Sequence, residues 1–139
     1  MKIEFTSYEQ KFNTFKNIYS YVFGVNYHLI DGVTATEYFF SLLQPKDVNA
    51  FIEVIENAID TNKRKFTKRS TQAFIWRVRD EKSCKEIARA YHISEEQACG
   101  LFAWAKLGVM NPSCSKHFKP ILKPYWEIID KRLKELYPD

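Results

Sequence analysis

Two helix-start signatures eleven residues apart constrain this chain more than any other feature. Ser83 with Glu86, and Ser94 with Gln97, both have the spacing of a capping box. In such a box the serine hydroxyl accepts the backbone N–H three residues on, and the acid or amide reaches back to the serine N–H. Between the two starts there is room for a short helix and a tight turn. Ile87 and Tyr91 in the first helix, and Ala98 and Leu101 in the second, are spaced to face inward. Ala88 is the small residue where the helices cross, and Ile93 fills the turn. His92 stands where the turn favours the left-handed backbone that glycine adopts most easily.

The flanks read as further helices. Ser7 with Gln10 opens one that carries Phe12, Phe15, Tyr19 and Val22 at helical spacing and ends at Gly24. Residues 25–33 form a connector with a turn signal at Asp31-Gly32, where a short hairpin with Lys2–Phe5 would form. Thr34 with Glu37 opens a short helix stopped by Pro45. Asp47 caps a third, with Val48, Phe51, Ile52, Ile55 and Ile59 on one face. Residues 61–70 are polar and basic and read as a linker or exposed arm. Thr71 caps a fourth helix, with Phe74, Ile75 and Val78 on one face. After the two boxes, MNPSCSKHFKP reads as irregular, with no strand pattern for a wing, and Pro124 opens a last helix. Only four Gly and five Pro stand in 139 residues, while eleven Phe, eight Tyr and three Trp supply large apolar surfaces. The fold expected is all-α: a compact helical domain with an acidic N-terminal helical subdomain (1–60), a basic linker or arm (61–70), and a trihelical unit plus C-terminal helix (71–139).

The string EIARAYHISEEQACGLFAWAKLGV resembles the helix-turn-helix superfamily, and within it the trihelical units of sigma-factor region 4 and of response-regulator-type activators. The resemblance covers residues 71–109. It implies DNA binding, with the second helix of the motif in the major groove and the outward residues Ser94, Glu95, Glu96, Gln97, Cys99 and Gly100 toward the bases. The pattern departs from the superfamily there. Glutamate accepts only from cytosine and is repelled by phosphate, and the second helix holds no Arg or Lys before Lys106.

Charge supplies what that helix lacks. Residues 1–60 carry a net charge of −4 and residues 61–139 a net of +8. Lys63, Arg64, Lys65, Lys68 and Arg69 are five bases within seven residues, around Phe66. Arg77, Arg79, Lys82, Lys85 and Arg89 follow on or beside the first two motif helices. Bases on such helices neutralise phosphates and orient a protein on DNA without reading sequence. The expected partner is double-stranded DNA, and the expected role is a small transcriptional regulator or accessory factor, of the kind phages and plasmids carry. A rival reading is a protein-interaction module using helix 94–105, such as an inhibitor of a nucleic-acid enzyme of the anti-restriction or anti-CRISPR type. Trp104 and Phe102 cannot both face one core, and Trp104 is expected to project against another helix or a second copy, as in a homodimer.

Other chemistries find little footing. No apolar run spans a bilayer and no secretion signal opens the sequence. Cys84, Cys99 and Cys114 are read as free thiols of a cytoplasmic protein, and Lys85 and the adjacent helix start would lower the pKa of Cys84. The histidines and cysteines lack the close pairing of a zinc site. Glu53, Glu56 and Asp60 read as the solvated side of a helix. No cofactor loop or nucleophile motif is present, and the expectation is a non-enzyme.

Overall fold

Helix-forming sequence signals become seven helices in the structure, a computed structural model that describes residues 1–24, 29–30 and 33–138. The elements are α1 (Tyr8–Phe23), β1 (Leu29–Ile30), β2 (Val33–Thr34), α2 (Ala35–Leu42), α3 (Pro45–Thr61), α4 (Lys68–Val78), α5 (Cys84–Tyr91), α6 (Glu95–Met110) and α7 (Pro112–Leu136). The fold is compact and all-α apart from the one small ribbon. In that ribbon β1 pairs antiparallel with β2, Leu29 opposite Thr34 and Ile30 opposite Val33. Asp31-Gly32, the expected turn, lies outside the described residues. The hairpin with Lys2–Phe5 does not form: Ile3 is buried and its N–H donates to Glu56 Oε2 on α3 at 2.7 Å. No helix among the described residues is long and apolar enough to cross a membrane.

Most helix starts follow the local chemistry. Ser7, Thr34, Ser83 and Ser94 each accept the N–H three residues on. Gly24 closes α1 at φ +79°, a conformation open to glycine. Three starts differ from the sequence reading. Helix α3 begins at Pro45, with Gln44 as cap, so Asp47 sits in its first turn. There its Oδ2 accepts the Tyr125 hydroxyl, which in turn accepts the Gln44 N–H at 3.1 Å, joining α3 to α7. Helix α4 begins at Lys68, not after Thr71. Thr67 and Ser70 form a reciprocal box, and the Ser70 hydroxyl also donates to Lys65 O at 2.8 Å. Helix α7 begins at Pro112, capped by Asn111, and runs through Pro120 and Pro124. A buried stripe of Cys114, Phe118, Leu122, Tyr125 and Ile129 holds it together. Both prolines lie on the exposed side, where water can satisfy the carbonyls they leave without donors.

Two cores result. The larger joins α1, α2, α3 and α7 with parts of α4 and α6, and is built on rings. Phe51 lies 4.6 Å edge-on from Phe15 and 4.5 Å, stacked, from Phe118. The smaller joins α4, α5 and α6 through Ala73, Ile87, Ala88 and Ala98, with Trp76, Cys84, Tyr91, Ile93 and Leu101 partly buried around it. Helices α4 and α6 serve both, giving Phe74, Ile75, Val78, Phe102, Ala105 and Val109 to the larger.

Residues 61–70 are neither linker nor arm. Thr61 ends α3, residues 68–70 are the first turn of α4, and Phe66 between them is buried in the larger core. Gly108 of α6 is what admits it. A Cβ there would lie 2.7 Å from the Phe66 ring and 2.8 Å from Lys65 Cβ.

Candidate nucleic-acid interface

Packing of Phe66 and the Thr67–Ser70 box turn the basic stretch into a defined surface. Lys63, Arg64, Lys68 and Arg69 are exposed around the buried ring. Lys65 leans back, its ammonium 3.3 Å from the Trp104 ring centre, while the Trp104 indole N–H donates to Arg64 O at 2.9 Å. The Arg69 guanidinium lies 4.8 Å from the Tyr91 ring centre, which ties the start of α4 to the end of α5. Lys63 has a loose carboxylate neighbour, Asp60 at 3.9 Å. Among the described residues, Arg64, Lys68 and Arg69 have no carboxylate partner. Lys68 and Arg69 stand in the first turn of α4, where the helix dipole is already positive and a cation is unfavourable.

The other expected contacts divide. Lys85 and Arg89 are exposed on α5. Arg89 stands in the last turn of α5, the end whose Tyr91 lies under Arg69, and Lys85 in its first turn. Arg77 turns inward. Its guanidinium lies 5.1 Å from Tyr21 and 5.3 Å from Phe102, and Nη1 donates to Lys82 O at 3.1 Å. Rings from α1 and α6 form a better seat than solvent, so this residue leaves the outer face. Arg79 pairs with Asp80 at 3.0 Å and donates to Glu4 O. Lys82 lies over Trp76.

The start of α6 is exposed through Ser94, Glu95, Glu96 and Gln97. Ser94 and Gln97 are occupied with each other. The Gln97 N–H donates to Ser94 Oγ at 3.1 Å, and Gln97 Oε1 accepts the Ser94 N–H at 3.0 Å. The capping box that starts the helix therefore engages the two neutral side chains best suited to a base edge, and leaves two carboxylates outermost. His92 in the turn is left-handed at φ 55°, as is Glu81 before α5. For residues with a Cβ this costs roughly 1 kcal/mol each.

Lys116 was not among the residues expected. A cleft lined by Asn57 and Thr61 of α3 and by Ser113, Lys116 and His117 of α7 sets it beside the end of α3, where the basic turn begins. Read as irregular, the start of α7 gave no sign of which way Lys116 would face. Trp104 is not taken into a core: Phe102 is the buried ring, meeting Tyr21 of α1, and Trp104 is half-exposed over the basic turn. The Cys84 thiol is not activated. Burial, then its hydrogen bond with Cys99, push it up to about 11, outweighing the nearby Arg77 charge. Among the described residues no group of three His, Cys, Asp or Glu side chains is placed to hold a metal ion.

No protein-family model, curated protein or solved structure matches the chain.

Proposed function

We propose that this is a small DNA-binding protein, a transcriptional regulator or an accessory factor of another DNA transaction, which holds the duplex by its phosphates. The observation that carries the reading is the basic turn at the start of α4. Four exposed cations, Lys63, Arg64, Lys68 and Arg69, are fixed by a buried Phe66 and a capping box, three of them without a carboxylate partner among the described residues. A surface that merely keeps a protein dissolved does not need cations at the positive end of a helix, whereas a phosphate placed there meets both the side chains and the N-terminal N–H groups. Arg89, exposed in the last turn of α5, and Lys116, in a cleft it shares with the end of α3, are further cations on the neighbouring helices. The helix-turn-helix resemblance of residues 71–109 supports the same reading.

Sequence readout is the weaker half of that resemblance. With Glu95 and Glu96 outermost and Gln97 occupied in its cap, the start of α6 is poorly equipped to pair with base edges. Binding should therefore be backbone-directed. The test is fluorescence anisotropy with duplex DNA from upstream of the gene and with a scrambled duplex, across a salt series. Both duplexes should bind alike, and log K should fall against log salt with a slope of about −3 to −4, as neutralising about four phosphates requires. Alanine at Lys63, Arg64, Lys68 and Arg69 together should remove binding while the helical circular dichroism persists. No binding to either duplex at low salt would end this reading. Binding of the upstream duplex alone, surviving physiological salt, would restore base readout by α6.

A further inference from the structure

Helix α6 is apolar on both sides, which a helix at the surface of a monomer seldom is. Its inward stripe is Ala98, Phe102, Ala105 and Val109. Its outward stripe is Gly100, Ala103, Trp104, Leu107 and Met110, with Trp104, Leu107 and Met110 exposed by 38%, 48% and 47%. Beyond Glu96 the helix carries a single charge, Lys106. Gly100 adds to the pattern. A Cβ built there meets nothing within 4 Å, so nothing within the chain requires a glycine. Yet glycine inside a helix costs about 1 kcal/mol against alanine. Beside it lies an open groove of about 480 Å³, with Ile93, Gly100, Leu101 and Trp104 as its apolar surface and Thr67, Arg69 and Gln97 along its polar edge.

We infer that this face docks an acidic, amphipathic helical segment of another protein. The anchor positions recur every three or four residues over about three turns, the repeat of a helix lying in a groove, and the gap at Gly100 admits a bulky side chain close to the α6 backbone. The rim decides the sign of the partner. Arg69 lines one edge, and the Lys65 ammonium lies over Trp104, so carboxylates flanking the partner's apolar stripe meet cations. Two other occupants fit less well. A second copy packing α6 antiparallel on α6 about a two-fold axis would set Lys65, which sits over Trp104 near the middle of the helix, beside its own symmetry mate. Nucleic acid gains little from covering Leu107 and Met110.

The experiment uses the whole protein and a labelled model peptide of about 18 residues, five helical turns, with leucines at i, i+4 and i+7 flanked by glutamates. A second peptide replaces every glutamate with lysine. At physiological ionic strength the acidic peptide should bind at least about tenfold more tightly than the basic one, with a Kd below about 100 µM. The double substitution Leu107→Ser with Met110→Ser should weaken it about tenfold, as should Arg69→Glu, while Lys85→Ala on α5 should leave it unchanged. These positions are exposed, so the variants should keep the wild-type circular dichroism. Failure of the acidic peptide to bind, equal binding of the basic one, or indifference to the Leu107/Met110 substitutions would overturn the proposal. So would sedimentation showing that the free protein is a dimer which the Leu107/Met110 substitutions dissociate.

Discussion

The two cores of this molecule are built on opposite principles. The larger fills the space between α1, α2, α3 and α7 with rings, and every helix that borders it surrenders one face to it. The smaller holds α4, α5 and α6 together mostly with alanine methyl groups and one isoleucine. Ring packing fixes helices at a distance through shape and area. Alanine packing fixes them by bringing backbones close, and it leaves large side chains free to lie elsewhere. In the α4–α6 unit Trp104, Leu107, Met110 and the bases of the turn face outward, while Trp76, Tyr91, Ile93 and Leu101 pack around the alanine core. The lesson is that α4 and α6, which serve both cores, join two packing regimes in one fold.

The largest effect expected sharpens that contrast. Phe51→Ala removes a ring touching both Phe15 and Phe118 and should cost about 3–5 kcal/mol in chemical denaturation. In the alanine core the vulnerable change runs the other way. Ala98→Leu, at a position with no exposure, should cost about 1–3 kcal/mol by forcing the helices apart. If it proves neutral, the close approach of α5 and α6 is not what holds that unit together. Gly108→Ala tests the seam between the two regimes. Its methyl would meet the Phe66 ring and Lys65 Cβ, so it should cost about 1–2 kcal/mol and also lower DNA affinity by displacing the basic turn. Loss of stability with unchanged affinity would detach the turn from Phe66.

Smaller effects lie at the bends. His92→Gly should raise stability by about 0.5–1 kcal/mol, since glycine accepts φ 55° without strain; a drop would mean that the ring contributes more than the strain costs. Cys84 should alkylate far more slowly than exposed Cys99 near about pH 8, since a thiol raised to about 11 stays protonated there and loses its proton only as the pH approaches that value. Mass mapping that finds Cys84 modified first would show that α5 opens readily from α6.

How far the sequence carried this reading depends on the range of each signal. Capping signals are local: Ser7, Thr34, Ser83 and Ser94 cap their helices where their spacing placed them, though of these only Ser94 with Gln97 closes the full reciprocal box, Glu86 turning to the Ser83 hydroxyl and Gln10 to the Thr6 N–H instead. The all-α architecture follows from the same signals and from the periodic rings. The start of α4 escaped because Thr67 and Ser70 form a box without the usual Glu or Gln. Helix α7 escaped because Pro120 and Pro124 read as breaks, while the contacts that override them come from α2 and α3, far away in sequence. The inward turn of Arg77 needed Tyr21 and Phe102, from two other helices, and no local pattern announces such a seat. The basic turn was legible as charge; its attachment through Phe66 and Gly108 was not.

The contact between Lys65 and Trp104 has an optical consequence. An indole with an ammonium against its face and its N–H bound to a main-chain carbonyl has emission tuned by both neighbours. The other two tryptophans report elsewhere: Trp76 tilts against Tyr91 in the alanine core, and Trp126 stacks on Phe39 in the ring core. A polyanion that draws Lys65 away should therefore shift the Trp104 component and leave Trp126, stacked in the ring core, still, making occupancy of the turn visible in the unlabelled protein.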